Sequence, residues 1–216
     1  MTKNLQTRWP NAGHIRAICA VFLSVSCAVP VRADSAPPII AGVARNLPVL
    51  ARNGMVVAQE KIAARVGLDV LKQGGNAVDA AVATGFALAV TLPRAGNLGG
   101  GGFMVVHLAK ENRDVALDYR EIAPAATTAN VFLDAEGAAV PAKSRDSGLG
   151  VGVPGTVAGL AYAREKWGSG KLSLADLLAP AIRLAREGVP VEDDLADSLP
   201  QAARRLGRWP SSRPIF

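Results

Sequence analysis

Pro93-Arg94-Ala95-Gly96-Asn97-Leu98-Gly99-Gly100-Gly101-Gly102 runs directly into Phe103-Met104-Val105-Val106-His107-Leu108-Ala109. A proline and four consecutive glycines end any helix, and the apolar run behind them reads as a strand. Upstream, residues 77–90 are dense in alanine, valine and leucine. Their near-uniform apolarity predicts a helix buried on most sides, while Asp79 and the short length argue against a membrane span. Residues 61–73 repeat Ile62, Val66 and Val70 at helical spacing and stop at Gly74-Gly75. Residues 54–58 read as a short buried strand. Downstream, 103–108 and 115–119 flank the polar turn 110–114, a predicted hairpin. Mixed loop and short helix are expected over 127–145. Further helices are expected over 154–167, 173–186 and 192–206. No internal repeat is present, and helices with strands in layers give an α+β class.

Composition narrows the function classes. The chain has 216 residues, of which 50% are hydrophobic, 5% are aromatic and 22 are glycine. That suits one domain or one and a half, and it excludes collagen, low-complexity disorder and a disulfide scaffold. The formal net charge of +6 is concentrated at the N-terminus, because residues 1–33 hold Lys3, Arg8, Arg16 and Arg32 and no acid. No basic cluster interleaved with aromatics remains beyond them, so no nucleic-acid partner is expected.

The first segment reads as an address. A polar, basic head precedes a 13-residue apolar stretch from Ala17 to Val29, and Val31-Arg32-Ala33 has the small-x-small form of a cleavage site. Thirteen helical residues span only about 20 Å, short of a roughly 30 Å hydrocarbon core. A signal peptide over 1–33 is therefore expected, with a mature product beginning at Asp34, periplasmic or secreted, and no stable membrane span after its removal. Ser24 disfavours a lipid-attachment reading through Cys27, since such signals carry an aliphatic residue there. Residues 34–51 are a Pro/Ala-rich lead-in, and 52–216 form the main body.

Both cysteines, Cys19 and Cys27, fall in the apolar stretch, so the mature chain has no disulfide, cysteine nucleophile or cysteine-held metal. His14 leaves with the signal, and His107 sits in a strand, where a structural role is the simpler reading. Neither Ser-His-Asp chemistry nor a histidine zinc site is supported; no metal and no cofactor are expected. The four glycines fail as a phosphate loop, because a strand follows them where a Gly-Lys-Ser/Thr and a helix would be needed. Taken alone they read as a structural turn that permits close backbone approach. Asp118-Tyr119-Arg120-Glu121 ends the second hairpin strand. Arg120 offers a planar fork that matches a carboxylate, and the competing reading is an ion pair with Asp118 or Glu121.

Four stretches in order change the reading: Gly74-Gly75-Asn76-Ala77-Val78-Asp79-Ala80-Ala81; Pro93 through the four glycines to Phe103-Met104; Asp118-Tyr119-Arg120-Glu121-Ile122-Ala123-Pro124; and Val153-Pro154-Gly155-Thr156-Val157-Ala158-Gly159. From about Arg52 onward this series closely resembles the γ-glutamyltranspeptidase family. The resemblance implies an exported N-terminal-nucleophile hydrolase with an αββα layered sandwich, made as one precursor that cuts itself into two subunits. It implies a threonine nucleophile at the start of the small subunit, with its own α-amino group as base and neither metal nor cofactor. It also implies cleavage of the γ-glutamyl bond of glutathione and related compounds, with transfer to water, amino acids or peptides.

The resemblance is expected to cover only the N-terminal part of the large subunit, so the αββα sandwich is incomplete in this chain. No Thr-led processing site appears after Pro154, and Thr127-Thr128 comes too early. No catalytic residue is therefore assigned here, and the small subunit of the same precursor is an expected partner. Arg120 alone carries over as a substrate residue, pairing with the donor α-carboxylate. Two alternatives stay open: a cephalosporin acylase-like member of the same superfamily, and a stand-alone, non-catalytic binding chain.

Overall fold

Side-chain caps and glycine stops set the helix ends that position everything else. Helix α1 (Lys61–Lys72) opens on Glu60, whose carboxylate accepts the amides of Ile62 and Ala63 at 2.7 and 2.8 Å. Burial disfavours the charge on Glu60, but these two amides and nearby Lys61 outweigh it and hold the carboxyl below its ordinary value. At the other end the Gly74 amide reaches Leu71 O and the Gly75 amide reaches Val70 O, with Gly74 at φ +89°. This paired pattern is the Schellman motif, and its left-handed residue is the reason for glycine at 74.

The structure, a computed structural model, describes residues 48–215. The chain divides into units Met1–Leu50 and Ala51–Phe216, and every helix and strand among the described residues belongs to the second. The expected signal segment 1–33 and nearly all of the 34–51 lead-in lie outside the described residues.

Helix α2 (Ala77–Thr91) is the central element. Val78, Asp79, Ala80, Val82, Ala83, Phe86 and Ala87 are all buried in it, as its uniform apolarity predicts. Small residues let α1 come close: a Cβ on Gly67 would overlap the Thr84 hydroxyl and lie 2.9 Å from Val56. At the α2 N-terminus Asn76 and Asp79 form a reciprocal capping box, each accepting the other's amide at 3.0 Å. Asp79 also accepts the Ser169 amide at 3.0 Å, and the Asn76 side-chain amide donates to Trp167 O at 2.7 Å. Asp79 is completely buried, so these bonds replace water. Asp79→Ala leaves two amides without an acceptor and should lower stability by about 2–3 kcal/mol. Urea unfolding of the chain checks this, and a loss below about 0.5 kcal/mol would show that the tie between α2 and residues 167–169 is idle.

Strands β1 (Phe103–Leu108) and β2 (Arg113–Asp118) pair antiparallel, with Phe103 opposite Asp118 and Leu108 opposite Arg113. The second strand thus starts two residues earlier than the polarity pattern suggests. Asn112, at φ 46°, turns the chain tightly enough for Arg113 and Asp114 to pair. Met104, Val106 and Leu117 face the core. Phe103 and Val105 point the other way, at 65% and 77% exposure, on a face shared with Ala116. The strand expected over 54–58 does not form. Those residues pair with no strand among the described residues; Val56 packs on the core and Val57 is exposed.

Helix α3 (Pro141–Arg145) is a short surface turn. Helix α4 (Thr156–Trp167) buries Thr156, Gly159, Leu160 and Ala163 and packs on α2, where Leu160 meets Gly85. Helix α5 (Leu174–Glu187) starts with a Ser173–Asp176 capping box and inserts Leu177 and Ala181 into the same core. Helix α6 (Asp193–Leu206) buries no residue. Exposed ion pairs Lys61–Glu192 at 2.8 Å and Arg94–Asp194 at 2.6 Å lie at its start. Among the described residues no helix is long and apolar enough to cross a membrane. The α+β class expected from the sequence holds.

Candidate functional site

Three of the four sequence motifs meet at one end of the hairpin. The last glycine of the run extends the ladder by one pair, because Gly102 and Tyr119 exchange amide bonds at 3.0 and 3.4 Å. A Cβ on Gly101 would stand 2.6 Å from Tyr119 O and 2.7 Å from Arg120 Cα. A Cβ on Gly155 would overlap the same Tyr119 O, and one on Gly159 would overlap the Tyr119 ring. Residues without side chains, from two separate segments, therefore press on the Tyr119-Arg120 backbone. Burial raises the Tyr119 phenol pKa above its ordinary value. The first motif, around Asn76 and Asp79, does not join this cluster; it caps α2 and ties down residues 167–169.

Arg120 follows directly on the gripped segment. Its guanidinium stands 6.0 Å from the centre of the Phe103 ring, within cation–π range. The sequence left open an ion pair with Asp118 or Glu121. Neither forms: the Asp118 carboxylate instead accepts the backbone amide of Arg120 at 2.9 Å. Among the described residues the Arg120 fork makes no ion pair, so its five donors are available. It lines an open cleft of about 490 Å³ together with Gly99, Glu121, Thr127, Phe132 and Leu149. Such a cleft suits a small anionic molecule held at one end by a planar cation.

The other candidates have structural places. His107 Nδ1 lies 2.8 Å from Asp114 Oδ1 across the hairpin, on the exposed face of the sheet. No group of three metal-ligating side chains occurs among the described residues. Two contributors were not singled out in the sequence: Asn97, which accepts hydrogen bonds from Gly100 and Thr156, and Phe103, which lies beneath Arg120. Both lie in the second of the four motif stretches, where nothing local marked either one.

The γ-glutamyltranspeptidase family model matches residues 63–216. Over 204 residues the chain is 49% identical to the glutathione hydrolase proenzyme of Escherichia coli strain K12, covering 93% of this chain and 35% of that protein. The crystal structure of Helicobacter pylori γ-glutamyltranspeptidase superposes with a TM-score of 0.74 at 45% identity, covering 79% of this chain and 48% of the other. Cephalosporin acylase from Bacillus halodurans gives a TM-score of 0.59 at 33% identity, covering 79% and 32%. The chain spans about a third of the length of the glutathione hydrolase relatives it matches. Its helices and hairpin are part of the N-terminal-nucleophile hydrolase αββα sandwich found in these structures. On the length and identity of these matches, the chain belongs to the γ-glutamyltranspeptidase family.

Proposed function

We infer that the chain is the donor-holding part of an exported γ-glutamyltranspeptidase, and that Arg120 binds the α-carboxylate of the γ-glutamyl group. One observation carries the reading: an arginine fork free of any carboxylate partner among the described residues, seated over Phe103 at the edge of a cleft. Bidentate pairing would anchor the donor by its amino-acid end and leave its γ-carbonyl free to reach a nucleophile. In this reading the nucleophile is the leading threonine of the small subunit. Its hydroxyl oxygen adds to the γ-carbonyl, its proton passes to the threonine α-amino group, and the γ-amide C–N bond breaks as the leaving amine takes that proton. Water or an acceptor amine then displaces the acyl group from the threonine oxygen. Export through residues 1–33, release at Asp34 and pairing with the small subunit belong to the same proposal.

A full-length precursor should cleave itself and release chromophore from a γ-glutamyl anilide. A polypeptide of residues 1–216 alone should release none above buffer, because acyl transfer needs the activated threonine. Turnover by residues 1–216 that a substitution within them abolishes would show that the nucleophile lies in this chain. The similarity to the B. halodurans cephalosporin acylase supports a second reading, with a β-lactam side-chain amide as donor. Offering both amides to the same preparation separates the two. Arg120 supports the glutamyl donor, whose α-carboxylate matches the fork.

A further inference from the structure

The Asn97 side-chain oxygen accepts from Thr156 Oγ1 at 2.6 Å and from the Gly100 amide at 2.9 Å, joining segments 59 positions apart. The Gly100 amide can only donate, so it fixes which end of the Asn97 amide faces Thr156. Gly100 is tied in return, since its carbonyl accepts the Gly155 and Thr156 amides at 2.8 and 3.0 Å. Helix α4 has no side-chain cap, and the glycine run satisfies its first amides instead. Thr156 is buried, so its hydroxyl depends on Asn97 for a partner in place of water. The bridged segments carry Gly101 and Gly155, the residues that press on the Tyr119-Arg120 backbone. The Arg120 side chain has no hydrogen bond to the protein among the described residues, so its aim depends on that backbone and on the Phe103 ring.

We propose that Asn97 and Thr156 are positioning residues for Arg120: their hydrogen bond locks the glycine run to the start of α4, and the locked grip points the arginine fork into the cleft. This rests on the reading of Arg120 as the holder of the donor carboxylate. Neither residue touches the donor; both act through Arg120.

The test uses the full-length, self-cleaving precursor and a γ-glutamyl anilide. Thr156→Val removes the hydroxyl at nearly constant volume. It should raise donor KM about three- to tenfold, the effect of one net hydrogen bond, while self-cleavage and kcat at saturating donor stay within about twofold. Thr156→Ser restores the hydroxyl and should return KM to within about twofold of the parent. In an Arg120→Ala background Thr156→Val should add nothing, because the fork it aims is gone. Equal KM effects in both backgrounds, or a serine variant no better than valine, would overturn the proposal. Should Thr156→Val fail to process, Asn97→Ala carries the same test from the loop side, with the same two results deciding it. If Arg120→Ala itself leaves donor KM unchanged, the reading of Arg120 has failed. If Arg120→Ala raises KM and Thr156→Val does not, only the positioning role has failed.

Discussion

Arg120→Ala in the full-length precursor is expected to raise donor KM by about a hundredfold while self-cleavage continues. Charge-assisted hydrogen bonds contribute roughly 1.5–3 kcal/mol each, and the fork makes two to a carboxylate. Arg120 is exposed, which favours the lower end of that range; about 3 kcal/mol in total is a little over a hundredfold. Arg120→Lys keeps the charge but loses the planar pair and should recover only about tenfold of the loss. Folding should survive both changes, because the arginine side chain bonds to no protein group among the described residues. Gel analysis of processing and donor KM from the same preparations report the two effects separately. A processed Arg120→Ala enzyme with unchanged KM and kcat would remove Arg120 from the donor site.

The second large effect is expected at a residue with no side chain. Gly155→Ala would drive a methyl group into the Tyr119 carbonyl oxygen and leave it 2.8 Å from the carbonyl carbon, a clash of backbone with backbone that no rotamer change relieves. Overpacking of this kind costs about 1–3 kcal/mol or more. Relief requires moving the strand end that carries Arg120, and a shift near 1 Å at a positioning element can lower activity about a hundredfold. Gly155→Ala should therefore lower both the melting temperature and donor kcat/KM. Gly148 is the matched control, since a Cβ there meets nothing within 4 Å. Gly148→Ala should leave both measurements unchanged. An indifferent Gly155→Ala would mean that the strand end is looser than its packing indicates.

The helices were legible because their signals are local. Residues 61–73 carried an apolar stripe and a Gly-Gly stop, and the observed α1 ends one residue sooner, with Gly74 supplying the left-handed turn. The uniform apolarity of α2 translated directly into burial. Residues 54–58 misled because a short apolar run looks the same whether or not a strand lies beside it, and strand pairing is a long-range property. The sequence placed Arg120 at the end of the second hairpin strand, but its freedom from Asp118 was not legible. That freedom depends on the Asp118 carboxylate turning to the Arg120 amide, a choice of rotamer that sequence does not encode locally. The Asn97–Thr156 bond was hidden because it joins a loop to the start of a helix 59 positions away, and neither local composition encodes the other.

The claim that Arg120 reads the donor α-carboxylate is tested most directly by changing the carboxylate as well as the arginine. Parent and Arg120→Ala enzymes would each be given a γ-glutamyl anilide and its counterpart with the α-carboxylate converted to a carboxamide, and kcat/KM measured for all four pairs. The parent should prefer the carboxylate donor by about a hundredfold, whereas Arg120→Ala should prefer it by no more than about threefold, because the two changes remove the same interaction. An undiminished preference in Arg120→Ala would place carboxylate recognition elsewhere and contradict the account.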